Sequence, residues 1–434
     1  MLDSLSTTQP PRTAARLGTA IAVAVIAWLL LTQVFEIYRI RPGLSRTATP
    51  YSEANVLRAA EHYAKYGFLV DAGLAHIVYG DRARGAGWTQ DLYRYPLPSG
   101  VYTRYPPLPE IIAGVLEKIV GYRVSIWRLV PVLLGLAATV YAFAALRRVL
   151  DSVAASGMIV LLSIVPMATS HMHGLHFEGY AHAAFLCELA LLVRILFLHE
   201  RPSRGEYVAL FGLGFLQGWL SFEYVFVVGA AAVPLALVAR AHGARVERRT
   251  VLLLAAVSGG GFVAAHLLHF LQVATFYGSI PAALQDFLSR AVYRFAGEAQ
   301  RPYLIQLAVN LVTYAVEIWF SPNNQHFGAL LFIVSLLVIL RRMMSAKDAS
   351  GLRTGARTSL AMLSDKQVVL PMVVSYAIAA LWLFVMPSHA NIHTPIVPRV
   401  FFLPYFVVVL IFTLSVFQRT IDKPFHDSEE RLAY

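Results

Sequence analysis

LGTAIAVAVIAWLLLTQVF, residues Leu17 to Phe35, carries no charged side chain. As a helix it is long enough to cross the hydrocarbon core of a bilayer, which takes about 20 residues. Residues 1–16 before it are polar and include Arg12 and Arg16. A cleaved signal peptide is the competing reading, but its hydrophobic region is shorter, and no small-x-small cleavage site follows Thr32-Gln33-Val34-Phe35. A retained first transmembrane helix is therefore expected.

The rest of the chain repeats this pattern. Further apolar spans of about 16–22 residues lie near 124–146, 154–170, 179–198, 206–221, 224–239, 250–271, 327–340, 367–386 and 400–418, with an ambiguous parse around Phe222-Glu223-Tyr224. Together they predict an all-α polytopic membrane protein of about ten transmembrane helices, forming a single integral membrane domain over residues 1–434. Composition agrees. Of 434 residues, 57% are hydrophobic and 14% charged, whereas soluble domains run near 45–50% and 25%, so water is not the only solvent for this fold.

The net charge of +11 calls for a topological reading before a nucleic-acid one, and no interleaved basic and aromatic face suggests nucleic acid. Among the short loops, the bases fall in one alternating set: Arg147 and Arg148; Arg201 and Arg204; Arg240, Arg245, Arg248 and Arg249; and Arg341, Arg342, Lys347, Arg353, Arg357 and Lys366. The other set, 171–178, 222–223 and 387–399, holds only Arg399. By the positive-inside rule both termini are expected in the cytoplasm, and the second loop set at the periplasmic or exterior face, most simply of a bacterial inner (plasma) membrane. A single cysteine, Cys187, lies in an apolar run and excludes an intramolecular disulfide framework and a thiolate metal cluster.

Two external segments are long. Residues 38–123 contain SEANVLRAAEHYAKYG (Ser52–Gly67), with a helix-starting serine and apolar positions at helical spacing, which suits a helix lying on the membrane surface. Residues 272–326 contain Pro281–Phe295 and Tyr303–Phe320. The second is long enough to span, but crossing there would put Arg341 and Arg342 on the wrong side, and it carries Asn310 and Glu317, so an interfacial or re-entrant helix is expected.

Polar chemistry in a membrane protein belongs at its aqueous mouths, because a charge facing lipid is costly. Three external stretches collect it. In the first loop stand Glu53 and the run VYTRYPPLPE (Val101–Glu110), where prolines fix an extended approach and hold Tyr102, Arg104 and Tyr105 at the membrane surface. Taken alone, Glu53 reads as a solvated helix-start carboxylate at the positive end of the dipole. The second stretch, HMHGLHFEGYAH, places His171, His173, His176 and His182 around Glu178, with Glu178 and His182 four apart on one helical face. A divalent metal suits such donors, but the spacing matches no metal motif, and proton transfer or phosphate recognition fits equally well. No cofactor is expected. The third stretch, PSHANIHTPIVPRVFFLP (Pro387–Pro404), brings His389, His393 and Arg399 just before the last span, where Arg399 can anchor to lipid headgroups or grip a phosphate in two parallel hydrogen bonds. Gly259-Gly260-Gly261 and Glu188 fall inside spans, and helix packing or a partner on a neighbouring helix accounts for each.

Taken in order, these features resemble the GT-C superfamily of membrane glycosyltransferases, in particular the branch of protein O-mannosyltransferases and aminoarabinose transferases. The resemblance rests on YSEANVLRAAEHYAKYGF after the first span, YTRYPPLPE closing the loop, HFEGYAHAAF opening the fourth span, and HANIHTPIVPRVFFLPYF leading into the last. It implies a sugar donor linked to polyprenyl phosphate, with Glu53 as the base that takes the acceptor proton and Glu178 orienting the acceptor or stabilising positive charge on the sugar. Arg399, helped by His389, His393 or Arg104, would receive the departing lipid phosphate, and Tyr102, Tyr105, His176 and His182 would shape the site. Many members have an Asp-Glu pair where this chain has Ser52-Glu53, which weakens any role needing two adjacent carboxylates or a metal bound by them. Direct displacement would invert the anomeric centre. The acceptor, whether protein, lipid or glycan, stays open. The rival class is a transporter or lipid flippase, which often shows internal repeats and broken helices that this sequence lacks; a non-catalytic scaffold leaves the three polar clusters unexplained.

Overall fold

The computed structural model describes residues 12–40, 43–44, 50–78, 100–150, 152–164, 167–198, 202–222, 228–241, 243–295 and 302–319, with a few helical positions between 370 and 385. The spans expected at 327–340 and 400–418, most of that at 367–386, and His389, His393 and Arg399 lie outside the described residues.

Within them the chain is helical. The helices are α1 (Arg12–Ile40), α2 (Pro50–Tyr66), α3 (Leu108–Val120), α4 (Val124–Leu146), α5 (Ser152–Ile164), α6 (Phe177–Leu198), α7 (Arg204–Leu220), α8 (Ala232–Ala241), α9 (Arg248–Tyr277), α10 (Ile280–Phe295) and α11 (Tyr303–Trp319). Between α2 and α3 two short strands, β1 (Ala75–His76) and β2 (Val101–Tyr102), pair antiparallel with Ala75 opposite Tyr102 and His76 opposite Val101.

Four of these helices, α1 from Ala15, α4, α6 and α9, are long and apolar enough to cross a membrane. Their outer faces match that solvent. Leu17, Val23, Leu31 and Phe35 on α1 and Leu252, Val263 and Leu267 on α9 are exposed, an arrangement stable against hydrocarbon and costly against water. α6 is the opposite case, buried along nearly its whole length as the central helix packed on α4 and α7.

Because lipid tails are as apolar as leucine, helices in a bilayer associate through close fit and small residues. The α7/α9 contact shows this directly. A side chain at Gly214 would collide with the Ser258 carbonyl, one at Gly218 with the Phe262 backbone, and one at Gly261 with the Phe211 carbonyl. Of the triple glycine expected to serve packing, Gly261 does so, while Gly259 and Gly260 face open space. α9 ends where Gly278 takes φ 62°, and the amides of Gly278 and Ser279 bond back to Thr275 and Ala274. A left-handed residue at this position is glycine's usual helix stop.

Two expectations change. The single span foreseen at 154–170 is a helix ending at Ile164 and a separate π-helical turn, Met167–His171; Pro166 stands between them in sequence and cannot donate to a continuing helix. The helix on the membrane surface, α2, is enclosed on most sides: residues 53–60 are all buried. Val56, Leu57 and Ala60 pack against Ala113, Val124 and Trp127, while Ala59 and Tyr63 pack against Ala75 and Ile77. The proline-led α3 and the small β-hairpin thus cover the face that a lone interfacial helix would leave to water.

Candidate active site

α2 delivers Glu53 into the protein rather than to its surface. The side chain is fully buried, and both carboxylate oxygens are held by Arg128 in the first turn of α4: Nη1 donates to Oε1 at 2.7 Å and Nη2 to Oε2 at 2.9 Å. The Leu175 amide adds a third bond to Oε1 at 3.1 Å. Arg128 Nη1 also donates to the carbonyl of His173 at 3.2 Å and Nη2 to that of Gly43 at 3.1 Å. A planar guanidinium that grips a carboxylate in two parallel bonds fixes direction as well as distance.

The loop between the π-helical turn and α6 binds this pair to α1. Gln33 donates its amide to the carbonyls of Ala168 and Thr169, so its oxygen is left to accept, and His173 Nδ1 meets it at 2.9 Å. His173 is therefore the donor, with its proton on Nδ1. Burial, then the positive charge of Arg128, push its pKa down to about 4, against an opposing pull from Glu53. The ring is neutral at physiological pH.

The same loop carries the second acid. Glu178 opens α6, fully enclosed, and its Oε2 pairs with His176 Nδ1 at 3.1 Å. Glu178 thus pairs with the histidine two residues before it, while the buried Nδ1 of His182 on the next turn has no hydrogen-bond partner among the described residues. His176 lies edge-on to Phe177, with ring centroids 4.5 Å apart, and to Tyr105, 6.5 Å away. Tyr105 in turn stacks on Tyr102 at 5.9 Å and tilts against Phe222 at 4.8 Å. Tyr102, Tyr105, His176 and Glu178, singled out separately in sequence, form one wall.

Arg104 stands on the same strand exit, partly buried. Its neighbour Thr103 is the anchor. The Thr103 carbonyl accepts from His269 Nε2 at 2.9 Å and Arg290 Nη1 at 2.5 Å, and its hydroxyl accepts from Arg290 Nη2 at 2.7 Å. Asp286 pairs with the same guanidinium. α9 and α10 therefore hold the YTRYPPL segment by its backbone.

Glu110, at the start of α3, was part of a quoted motif without a role of its own. It is buried, its Oε2 has no hydrogen-bond partner among the described residues, and burial raises its pKa while the positive field of His176 opposes the rise. Sequence reasoning also passed over Arg128 as a site residue and gave His173, counted in the histidine cluster, no role of its own. Glu188, flagged as functional or paired, is paired: Ser258 donates to Oε1 at 2.6 Å and Gln217 to Oε2 at 2.5 Å, both within the helix bundle.

With this helix order and these membrane-length helices the chain is an all-α integral membrane protein. Among solved structures, that of ArnT from Cupriavidus metallidurans bound to undecaprenyl phosphate matches 94% of this chain, with a TM-score of 0.50 and 14% identity. The chain spans 61% of the length of that protein. The likeness carries the fold. No protein-family model and no curated protein matches the sequence.

Proposed function

We propose that this chain is a glycosyltransferase that moves a sugar from a polyprenyl-phosphate donor to an acceptor hydroxyl at the external membrane face. The observation that carries this reading is the buried Glu53–Arg128 pair bound to the loop that bears Glu178, set in a GT-C-like fold. A transporter has less need of two fixed acids converging on one loop, and Glu188, the mid-span acid a transporter would use, is already satisfied by Ser258 and Gln217.

In this reading the acceptor oxygen attacks the anomeric carbon as the bond from that carbon to the phosphate oxygen breaks, with its electron pair going to the lipid phosphate. The configuration inverts. Glu53 takes the acceptor proton late, once the new C–O bond has made that oxygen strongly acidic. Glu178, paired with His176, orients the acceptor and stabilises positive charge growing on the sugar. Arg104, on its anchored segment, and Arg399 with His389 and His393 receive the lipid phosphate. Tyr102, Tyr105 and His182 shape the sugar pocket. The products are the glycosylated acceptor and polyprenyl phosphate.

The test uses the purified protein in nanodiscs with a panel of radiolabelled polyprenyl-phosphate sugars, following sugar release or transfer. Turnover that falls at least a thousandfold in Glu178→Gln, a variant that leaves the Arg128 pair in place, supports the reading. A folded wild type that turns over no donor overturns it.

A further inference from the structure

Away from the proposed transfer site, three classical metal donors meet at the end of α2. His62 lies on α2, Asp71 on the 3-10 turn Val70–Gly73 that follows, and His76 on β1; one donor atom from each lies within 4.8 Å of the others. The His62 and His76 rings are stacked, with centroids 4.6 Å apart and planes 19° from parallel. His62 Nε2 stands 3.9 Å from Asp71 Oδ2. We propose that His62, Asp71 and His76 bind one zinc ion, which fastens the end of α2 to the β-hairpin leading into Tyr102.

The donor chemistry selects the metal. Two imidazoles and a carboxylate are the borderline set that zinc takes, and three protein ligands leave a fourth position for water. Around tetrahedral zinc, bonds of about 2.0–2.2 Å put donors roughly 3.4 Å apart, so side-chain rotation alone closes the observed separation. Asp71 remains partly open to solvent, giving the ion an entry path.

The backbone around the donors is held for this arrangement. Asp71 and Ala72 both adopt left-handed conformations, φ 55° and 57°, which cost non-glycine residues on the order of 1–3 kcal/mol each unless their surroundings enforce them. Tyr63 enforces the turn by donating to the Gly73 carbonyl at 2.8 Å, and Arg58 does so through the Ile77 carbonyl at 3.3 Å. At Gly100 a Cβ would lie 2.6 Å from the His76 ring, so only glycine there lets the imidazole sit where it does. The helix, the strained turn and the strand thus present their donors from a fixed frame.

The experiment takes the full-length protein in detergent, strips it with chelator, and titrates zinc chloride while recording bound metal by mass spectrometry and the melting temperature. One zinc per chain with a raised melting temperature is expected. Asp71→Asn, nearly isosteric, should leave the melting temperature of the stripped protein unchanged yet weaken zinc binding at least tenfold, and His76→Gln should do the same. His171→Gln, at the other histidine cluster, should change neither. Failure of the stripped wild type to take up zinc, or zinc binding that persists unchanged in Asp71→Asn and His76→Gln, overturns the proposal. No sugar donor enters the measurement, so its outcome is separate from that of the transferase assay.

Discussion

Arg128 holds both carboxylate oxygens of Glu53 at 2.7 and 2.9 Å with neither side chain exposed to solvent. Removing one partner of a buried pair strands the other and costs about 3–5 kcal/mol, whereas replacing both with apolar groups is often nearly neutral. Glu53→Gln and Arg128→Met are each expected to lower the melting temperature markedly, and Glu53→Leu/Arg128→Met to recover much of the loss. Melting curves of the four proteins check this; additive losses in the double variant would mean that the two side chains are not coupled. Loss of transfer in Glu53→Gln is therefore evidence for a base only at a temperature where that variant is folded. Glu53→Asp, which keeps a negative charge facing Arg128 but withdraws the oxygens, is the sharper kinetic probe, with an expected fall of at least a hundredfold in kcat.

Glu110 gives a second prediction, with the opposite sign in stability. Its pKa is raised by burial, so the folded protein binds its proton more tightly than the unfolded chain does. The stability this contributes is present below the ordinary carboxylate pKa and is lost as pH rises through the folded value. At pH 7.5, well above the ordinary carboxylate pKa, the buried and incompletely partnered carboxyl group is a cost. Glu110→Gln should melt above wild type at pH 7.5, with the gap closing towards pH 4.5. A variant that melts lower at pH 7.5 would show that the carboxylate is stabilised as an ion after all. If the more stable variant also loses turnover, Glu110 acts in the site, since charge kept at a destabilising position is what function demands.

Sequence legibility followed the length of the physical signal. An unbroken apolar run such as Val124–Leu146 has few competing readings, and its expected bounds coincide with those of α4. Of the run expected at 224–239, the described residues form a turn at 228–231, which hydropathy does not register, and then α8, Ala232–Ala241. Two-residue strands are too short for any alternation to appear, so the hairpin and its His76 were invisible. Glu53 was legible as an acid, but its burial was not, because α3 and the hairpin that cover α2 arrive dozens of residues later. Arg128 did leave a signal that went unused: an arginine in the first turn of an apolar span needs a partner, and Glu53 is that partner.

His173 supplies a pH dependence that can be read on the wild type. Its folded pKa, pushed down to about 4, lies below the ordinary histidine value of 6.5. Above pH 6.5 both folded and unfolded states carry a neutral ring and stability is unaffected. As pH falls from 6.5 towards 4, the unfolded chain takes up the proton first, so stability declines by roughly 3 kcal/mol over that window. His173→Gln cannot take up that proton and keeps a hydrogen-bonding amide towards Gln33. A stability profile of the variant between pH 4 and 7 should be flatter than that of wild type by that amount; parallel profiles would remove His173 as the source of acid sensitivity.

The α7/α9 contact offers a test in which no titration or catalysis intervenes. Gly214 abuts the Ser258 carbonyl, and the Ser258 hydroxyl donates to Glu188 at 2.6 Å on α6. A side chain at Gly214 therefore does more than crowd two helices: it displaces the residue that satisfies a buried carboxylate. Overpacking alone costs about 1–3 kcal/mol, and leaving a buried polar group without its partner costs about 1–3 kcal/mol more. Gly214→Val should thus destabilise more than Ser258→Ala, which removes only the hydrogen bond, while Gly259→Ala, with open space beyond it, should be nearly silent. Combining Gly214→Val with Ser258→Ala separates the two contributions, because the hydrogen bond can be lost only once. The double variant should be less destabilised than the sum of the singles, and strict additivity in the melting measurements would show that the glycine acts through packing alone.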